Sequence, residues 1–196
     1  DGERINESAT NNFVTDEGKN FENTLSVTKK WGDKGAYVRA RVQNEINRQE
    51  SEDFIVSNTE IFGDNPSVIN RNQFTDGETK LDGYNLNLTY RVPLVAKNLF
   101  LDVDFGHRSD SRKRKRSTFD FDEVTQQYAI LNQELSTDFE GRNSRTTPKL
   151  GLNYDNEKLN VNVSAGYVFR TLENNDNLRP ELDIKQNFEA LELDTY

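Results

Sequence analysis

The most concentrated set of chemically active side chains in the sequence is a run of five consecutive cations. The run consists of Arg112, Lys113, Arg114, Lys115 and Arg116. Groups of this type bind phosphate and carboxylate, so the run predicts contact with an anionic ligand or an anionic lipid. The alternative is a solvated strand end whose cations pair with nearby carboxylates, each surface pair contributing about 0–1 kcal/mol. Those carboxylates are Asp120, Asp122 and Glu123.

A basic run is also typical of nucleic-acid binding or nuclear localisation. The whole chain of 196 residues, however, has 25 Lys+Arg against 34 Asp+Glu and a formal net charge of −9. Because such a charge balance repels a polyanion, we expect no nucleic-acid partner.

Catalytic and metal-binding chemistry finds little support in the composition. The chain has no Cys and one His, which excludes thiol catalysis and a zinc–thiolate site and argues against a Ser-His-Asp triad. Carboxylates two residues apart, as in Asp102/Asp104 and Asp120/Asp122, resemble calcium ligands or the acid–base pair of a glycosidase. Acidic residues are so abundant here that such pairs arise by chance. We therefore expect no catalytic residue, no metal site, no cofactor and no enzymatic activity.

The elements that carry these residues are predicted by a hydrophobic period of two. Between Tyr84 and Val92, for example, apolar residues alternate with Asn, Thr and Arg. Such alternation is typical of strands with one apolar and one polar face. We predict about seven antiparallel strands, arranged as three hairpins plus one strand. They lie within 21–31, 36–46, 84–92, 99–105, 150–154, 159–169 and 188–196.

The connections between these strands alternate in length along the chain. Short turns are predicted near 32–35, 93–98 and 155–158. Long polar loops are predicted near 48–80, 108–147 and 171–186. In an up-and-down meander this alternation places every short turn at one end, as in transmembrane β-barrels with short periplasmic turns and long extracellular loops. Strands of eleven residues also match the 9–11 that a membrane crossing needs.

The sequence therefore predicts an all-β fold, an antiparallel up-and-down meander that forms part of a transmembrane β-barrel. The alternating apolar residues would face lipid, and the polar set would face a water-filled lumen. That polar set is Arg39, Arg41, Arg91, Asp102 and Asp104. The alternative is a soluble extracellular β-sandwich, with the apolar faces packed together, that binds a glycan or a protein partner.

Two stretches, 25–42 and 83–94, carry a resemblance to a known family. The first has the form Lys-Lys-Trp-Gly-Asp-Lys-Gly after an amphipathic strand, and the second ends in Tyr90-Arg-Val-Pro-Leu94. With Leu178–Glu181, they resemble the outer-membrane β-barrels of Bacteroidota, the barrels of TonB-dependent-receptor-like proteins. The resemblance covers most of 20–196.

This resemblance implies a location in the bacterial outer membrane and a role in nutrient uptake or in an outer-membrane complex. Expected partners are outer-membrane lipid and lipopolysaccharide, together with the TonB system and a surface lipoprotein through parts not in this chain. The family's signal peptide, small β-sandwich domain and plug domain are not visible here, and about seven strands cannot close the family's barrel of about 22 strands. The sequence thus predicts either an internal piece of a larger barrel or a small complete barrel.

The chain divides into two regions at the sequence level. Residues 1–19 are rich in Asn, Glu and Thr and are expected to form a polar lead-in or an extracellular loop. Residues 20–196 form the predicted β-barrel segment of about seven strands, with the ligand contacts on its long loops.

Overall fold

The computed structural model describes residues 4–63, 65–95 and 98–195. They form one antiparallel sheet of eight strands with an open, up-and-down order. The strands are β1 (Asn6–Trp31), β2 (Ala36–Ile61), β3 (Ser67–Val95), β4 (Leu99–Asp122), β5 (Gln127–Leu131), β6 (Thr137–Asp155), β7 (Asn160–Asp176) and β8 (Ile184–Thr195). The predicted all-β antiparallel meander is confirmed.

Each long strand pairs with its neighbour in the chain, and the sheet order is β1-β2-β3-β4-β6-β7-β8. The short β5, which the sequence analysis missed, pairs only with the last residues of β4, from Phe119 to Asp122. Tight turns join the strands at one end, which we call the short-turn end; the first spans 32–35, with Gly32 and Gly35 at positive φ. The opposite end is called the far end.

The long polar loops predicted over 48–80 and 108–147 are wrong. Strand β2 continues to Ile61, β3 begins at Ser67, and β4 runs unbroken to Asp122. Residues 6–19 likewise belong to β1, and β7 extends to Asp176. The loops were predicted because both faces become polar there, yet the backbone hydrogen-bond ladder needs no apolar side chain, and strand propensity depends strongly on context.

The register places the alternating residues of all long strands on two continuous faces, because directly opposed residues share a face. We name them after two residues of β3. The Leu86 face carries Leu25, Val38, Leu86, Leu101, Leu152, Val163 and Leu193. The Arg91 face carries Arg39, Arg91, Asp102, Lys149, Ser164 and Asp194.

Burial in this sheet is the reverse of that in a soluble core. Along β7, Val161, Val163 and Tyr167 are exposed, whereas the intervening Asn162 and Ser164 are buried. Among the described residues, Phe100 is the one buried hydrophobic side chain, against nine buried polar or charged residues. The polar side chains are thus the better packed set, and the apolar set is left open.

Within the described residues, no helix has the length and apolar character to cross a membrane. The helical structure there is a single 3₁₀ turn, Pro180–Leu182, between β7 and β8.

Candidate functional site

The five cations of the basic run lie in the far half of β4, not at its end. Strand alternation divides them between the faces, since β4 keeps an unbroken register with β3 and β6 here. Arg112, Arg114 and Arg116 lie on the Arg91 face, and Lys113 and Lys115 lie on the Leu86 face. The single basic motif in the sequence is therefore two separate groups in the fold.

The expected pairing of this run with nearby carboxylates is not observed. Asp120 instead accepts hydrogen bonds from Gln73 and Asn132. Asp122 accepts from the Thr125 hydroxyl and the Val124 amide, and these bonds lower the pKa of the Asp122 carboxyl. Within the part of the chain that the structure describes, Arg112–Arg116 form no salt bridge and no side-chain hydrogen bond. All five residues are exposed.

A second group of arginines lies on the Arg91 face next to Arg112, Arg114 and Arg116, which we call the arginine ladder of β4. Arg108, Arg145 and Arg170 are directly opposed across β4, β6 and β7. Two of them have a carboxylate partner beside the row: Arg108 is 3.4 Å from Asp110, and Arg145 donates to both carboxylate oxygens of Glu192 on β8, at 3.3 and 3.2 Å. The Arg170 side chain donates to the Asn143 amide oxygen at 2.9 Å. Like charges directly opposed on neighbouring strands are destabilising.

Nearer the short-turn end, the Arg91 face is occupied by a paired charge. Arg91 donates two hydrogen bonds to the Asp102 carboxylate, at 2.6 and 2.5 Å. Its guanidinium also lies 5.5 Å from the Tyr37 ring and 5.0 Å from the Phe100 ring. A bidentate pair held between two rings is among the stronger polar contacts. This pair therefore has a structural role, and it leaves few hydrogen-bond donors in this region for a ligand.

Lys149 crosses the neighbouring strand to reach a carboxylate. Its ammonium lies 2.5 Å from Asp194 and 3.7 Å from Glu192, both on β8, although β7 lies between. Gly166 of β7 is opposite both Lys149 and Glu192. A Cβ at Gly166 would lie 3.0 Å from the Pro148 carbonyl oxygen and 3.2 Å from the Lys149 Cβ. The glycine therefore leaves the space in which the lysine lies.

Cavities on the Arg91 face extend over several strands. One of about 720 Å³ has walls from β2 to β8, including Tyr37, Arg91 and Asp194. A second of about 490 Å³ lies over Gly106, with Arg108, Arg145 and Lys149 in its wall. Residues of β2 and β8 line the first cavity together, which indicates that the sheet is concave on this face. Both volumes are in the range of small-molecule sites.

The Leu86 face bears a band of exposed apolar side chains in the short-turn half. Leu150, Leu191 and Leu193 expose 57, 67 and 68 % of their surface. Aromatic rings occur in and beside the band, where Trp31 stacks on Tyr90 at 5.9 Å and Tyr84 contacts His107 at 5.6 Å. A contiguous apolar surface of this kind marks an interaction with lipid or protein.

Beyond this band, the Leu86 face carries rows of like charge across the strands. Residues of the first row are opposed in the register and are all basic: Lys19, Arg48, Lys80 and Lys113. The next row toward the far end begins with three carboxylates and ends with a lysine: Glu17, Glu50, Glu78 and Lys115. Ion pairs join the rows, as Lys19–Glu17 at 2.8 Å and Lys80–Glu78 at 2.5 Å. On β1 and β2 the basic row directly follows the apolar Phe21 and Ile46, whereas on β3 and β4 the polar Asp82 and Ser111 stand in that position.

Four phenylalanines form a further row on this face, nearer the far end than the charge rows. They are opposed in one row across four strands: Phe13, Phe54, Phe74 and Phe119. The Phe54 and Phe74 rings are 4.6 Å apart, and Tyr128 of β5 lies 6.0 Å from Phe74. The Tyr128 hydroxyl donates to Asn72 at 2.8 Å. This row ties β5 to the far half of the sheet.

In the described ranges no group of three or more His, Cys, Asp and Glu side chains could hold a metal ion. The acidic pairs considered as calcium ligands have other partners. Asp102 is paired with Arg91, and Asp104 accepts a 2.6 Å hydrogen bond from Thr89.

Sequence reasoning missed the arginine row and the charge rows because both depend on register. Arg108, Arg145 and Arg170 are 37 and 25 residues apart in the chain, and only strand pairing makes them neighbours. The sequence alone would place Arg112, Arg114 and Arg116 on one face if their segment were predicted as a strand instead of a loop.

No protein-family model matches the chain, and no curated protein matches it significantly.

Proposed function

We propose that this chain is a wall segment of a bacterial outer-membrane β-barrel, with the Leu86 face toward lipid and the Arg91 face toward a water-filled interior. The observation that carries the proposal is the reversed burial of the sheet, in which polar residues are packed and large apolar residues are open. In water such a surface is unfavourable by roughly 25 cal/mol per Å² of exposed apolar area. A lipid environment removes that penalty.

The height of the apolar band supports this proposal. On β3 the continuous apolar residues of the Leu86 face run from Tyr84 to Leu94, a span of ten residue steps. At ~3.3 Å per residue the band is about 33 Å long along the strand. With the ~40° tilt usual in such barrels, it is about 25 Å across the membrane, the height of their apolar belt.

The basic row indicates which end of the sheet would face the outside of the cell. Lys19, Arg48, Lys80 and Lys113 follow the apolar band on its far-end side. On β1 and β2 these cations lie one row beyond Phe21 and Ile46, about 6.6 Å along the strand, which would place them at headgroup height. Lipopolysaccharide phosphates are the anionic groups at that level of an outer leaflet. The far half of the sheet would then stand outside the cell, and the short turns would face the periplasm.

The resemblance to TonB-dependent-receptor-like barrels extends the proposal to nutrient uptake or membership of an outer-membrane complex. A concave polar face with cavities of about 490 and 720 Å³ supports a path for solutes. Coupling to the TonB system and to a surface lipoprotein would involve parts not in this chain.

The experiment that tests the proposal is fractionation of the full-length protein from its source cells, followed by electrophoresis with and without heating. We expect extraction only by detergent and a heat-dependent shift in mobility. A freely soluble protein without a shift would overturn the barrel proposal. The open apolar face would then be assigned to a second sheet, as in an extracellular sandwich.

A further inference from the structure

We infer that the Arg91 face binds anionic solutes, compounds bearing phosphate or carboxylate groups, through an arginine path on β4, β6 and β7. The path consists of Arg108, Arg112, Arg114, Arg116, Arg145 and Arg170. The inference rests on the proposed function in that this face borders the water-filled interior. It names the class of solute that the interior takes.

The first observation is the open arginine ladder of β4. Arg112, Arg114 and Arg116 recur at every second residue, about 6.6 Å apart, and all lie on one face. The residues opposite them, such as Leu81, Gly141 and Thr79, carry no carboxylate. Each guanidinium therefore keeps its donors available to water or to a ligand.

The second observation is the like-charge row Arg108–Arg145–Arg170. Opposed side chains of this kind have Cβ atoms about 5 Å apart, and their repulsion is destabilising. The carboxylates near the row, Asp110 and Glu192, lie at its two sides, at 3.4 and 3.2 Å from single arginines. A bound anion that bridges two guanidinium groups relieves the repulsion. Each of the two carboxylates pairs with one arginine, and Arg170 has only the neutral Asn143 amide. The row of three arginines is thus one anion short, and a bound solute anion would complete it.

The third observation is the local charge. Between the rows of Asp104 and Arg116, the Arg91 face of β4, β6 and β7 carries seven cations, the six arginines of the path and Lys149. The same rows carry three carboxylates on these strands, Asp104, Asp110 and Asp176, and a fourth, Glu192, on the adjacent β8. This surplus of 7 − 4 = +3 lies in a chain whose net charge is −9.

The carboxylates of this region already have partners. Asp104 accepts from Thr89, Asp110 accepts from Asn143, and Asp176 accepts from Arg179. Other carboxylates lie across the face on β1 and β2, where Asp16 and Asp53 share a cavity of about 300 Å³ with Arg114 and Arg116. Neither of these two carboxylates forms an ion pair with Arg114 or Arg116 among the described residues.

The chemistry of arginine selects the class of ligand. A guanidinium presents a planar fork of donors that fits carboxylate and phosphate oxygens with two hydrogen bonds. Rows of such groups line pores that conduct anions or phosphate. A small, multiply charged solute is favoured over a long polyanion, because the net charge of −9 repels the latter.

The test is calorimetric titration of inorganic tripolyphosphate into the full-length protein in neutral detergent, with maltotriose as the uncharged comparison. We expect tripolyphosphate to bind and maltotriose not to bind at the arginine path. The variant R112Q/R114Q/R116Q should raise the tripolyphosphate Kd at least about tenfold, since each charged hydrogen bond contributes strongly. The separate variant R108Q/R170Q should also raise it.

The matched control removes three cations from the other face of the same region. Lys80, Lys113 and Lys115 lie on the Leu86 face, so K80Q/K113Q/K115Q changes the net charge equally. We expect its Kd to stay within about twofold of the parent value. Equal weakening by the two triple variants, or no tripolyphosphate binding at all, would overturn the inference.

The heat-dependent mobility shift is measured on each variant to report folding and membrane insertion. An arginine variant that keeps the shift and loses binding supports the inference. A variant that keeps both the shift and the binding refutes it and leaves the barrel proposal standing. If the parent protein is soluble, the barrel proposal fails, and the same titration decides the anion site independently.

Discussion

The two halves of the sheet are built from the same strands but are specified differently. In the short-turn half, apolar and polar residues alternate strictly, as along β7 from Val161 to Tyr167. In the far half both faces are mainly polar, apart from the phenylalanine row on the Leu86 face, and charge rows cross the strands. A slip of one residue in the short-turn half would exchange its two faces entirely. In the far half, specific cross-strand pairs must fix the register.

The largest expected effect concerns the environment of the short-turn half. Val163 is 51 % exposed on the Leu86 face, so Val163→Arg is nearly neutral in water. On a lipid face the same change should destabilise the folded protein by about 2–4 kcal/mol. Unfolding by urea in lipid vesicles measures the difference.

The control for that change lies in the far half. Ser117 is on the Leu86 face of β4, beyond the apolar band and opposite Asp76. Ser117→Arg should leave the free energy of unfolding within about 0.5 kcal/mol of the parent value. If Val163→Arg is equally neutral, the Leu86 face does not contact lipid.

A second prediction concerns the other face of the same half. Asp102 is 7 % exposed and is held by Arg91. Arg91→Leu leaves that carboxylate without its cation and should lower the free energy of unfolding by about 2 kcal/mol. Chemical denaturation of the protein in detergent measures the loss.

The matched variant removes both charges. In Arg91→Leu/Asp102→Leu no uncompensated charge remains, and a buried ion pair is often replaceable by apolar residues without loss. We expect most of the stability to return. A double variant as unstable as Arg91→Leu would mean that the rings of Tyr37 and Phe100 depend on the guanidinium itself.

A third prediction addresses what stabilises the far half. Phe74 contacts Phe54 at 4.6 Å and Tyr128 at 6.0 Å. Phe74→Ala should cost about 1 kcal/mol and should loosen β5 and the far ends of β2 and β3. Hydrogen exchange of backbone amides measures this locally, and amides of the short-turn half should keep their protection. Uniform loosening of both halves would contradict the idea that each half is stabilised separately.

This contrast also explains what the sequence could predict. The strands of the short-turn half, their order and their two faces follow from alternation alone, as in Leu86, Leu88 and Tyr90. The far half was predicted as loop because alternation in hydrophobicity is lost where both faces carry mainly polar residues. Its signals were cross-strand ones, such as Phe54 opposite Phe74, which become visible only when the register is known.

The residues of the candidate site were also predictable only in part. The sequence identified the cations of β4 and the carboxylates of Asp102 and Asp104. It did not identify their partners, because Arg91–Asp102 and Arg108–Arg145 are contacts between strands. Placing 108–116 in a loop also hid the alternation that sends the arginines and the lysines to opposite faces.

The smallest expected effect lies in the connection between β7 and β8 at the far end. Asp176 accepts hydrogen bonds from the amides of Leu178 and Arg179 and from the Arg179 side chain, at 3.0, 3.1 and 3.0 Å. Burial alone would raise the pKa of this carboxyl, but these bonds outweigh it and the pKa is lowered.

A lowered pKa means that the stabilisation by the Asp176 carboxylate is complete above the ordinary pKa and is lost as pH falls through the lowered one. Amide exchange should therefore show Leu178 and Arg179 losing protection as the pH falls below about 4, whereas Asp176→Asn should be weakly protected and insensitive to pH there. Protection that is unchanged at the lower pH would mean that this connection is stabilised by the 3₁₀ turn Pro180–Leu182 and not by the carboxylate.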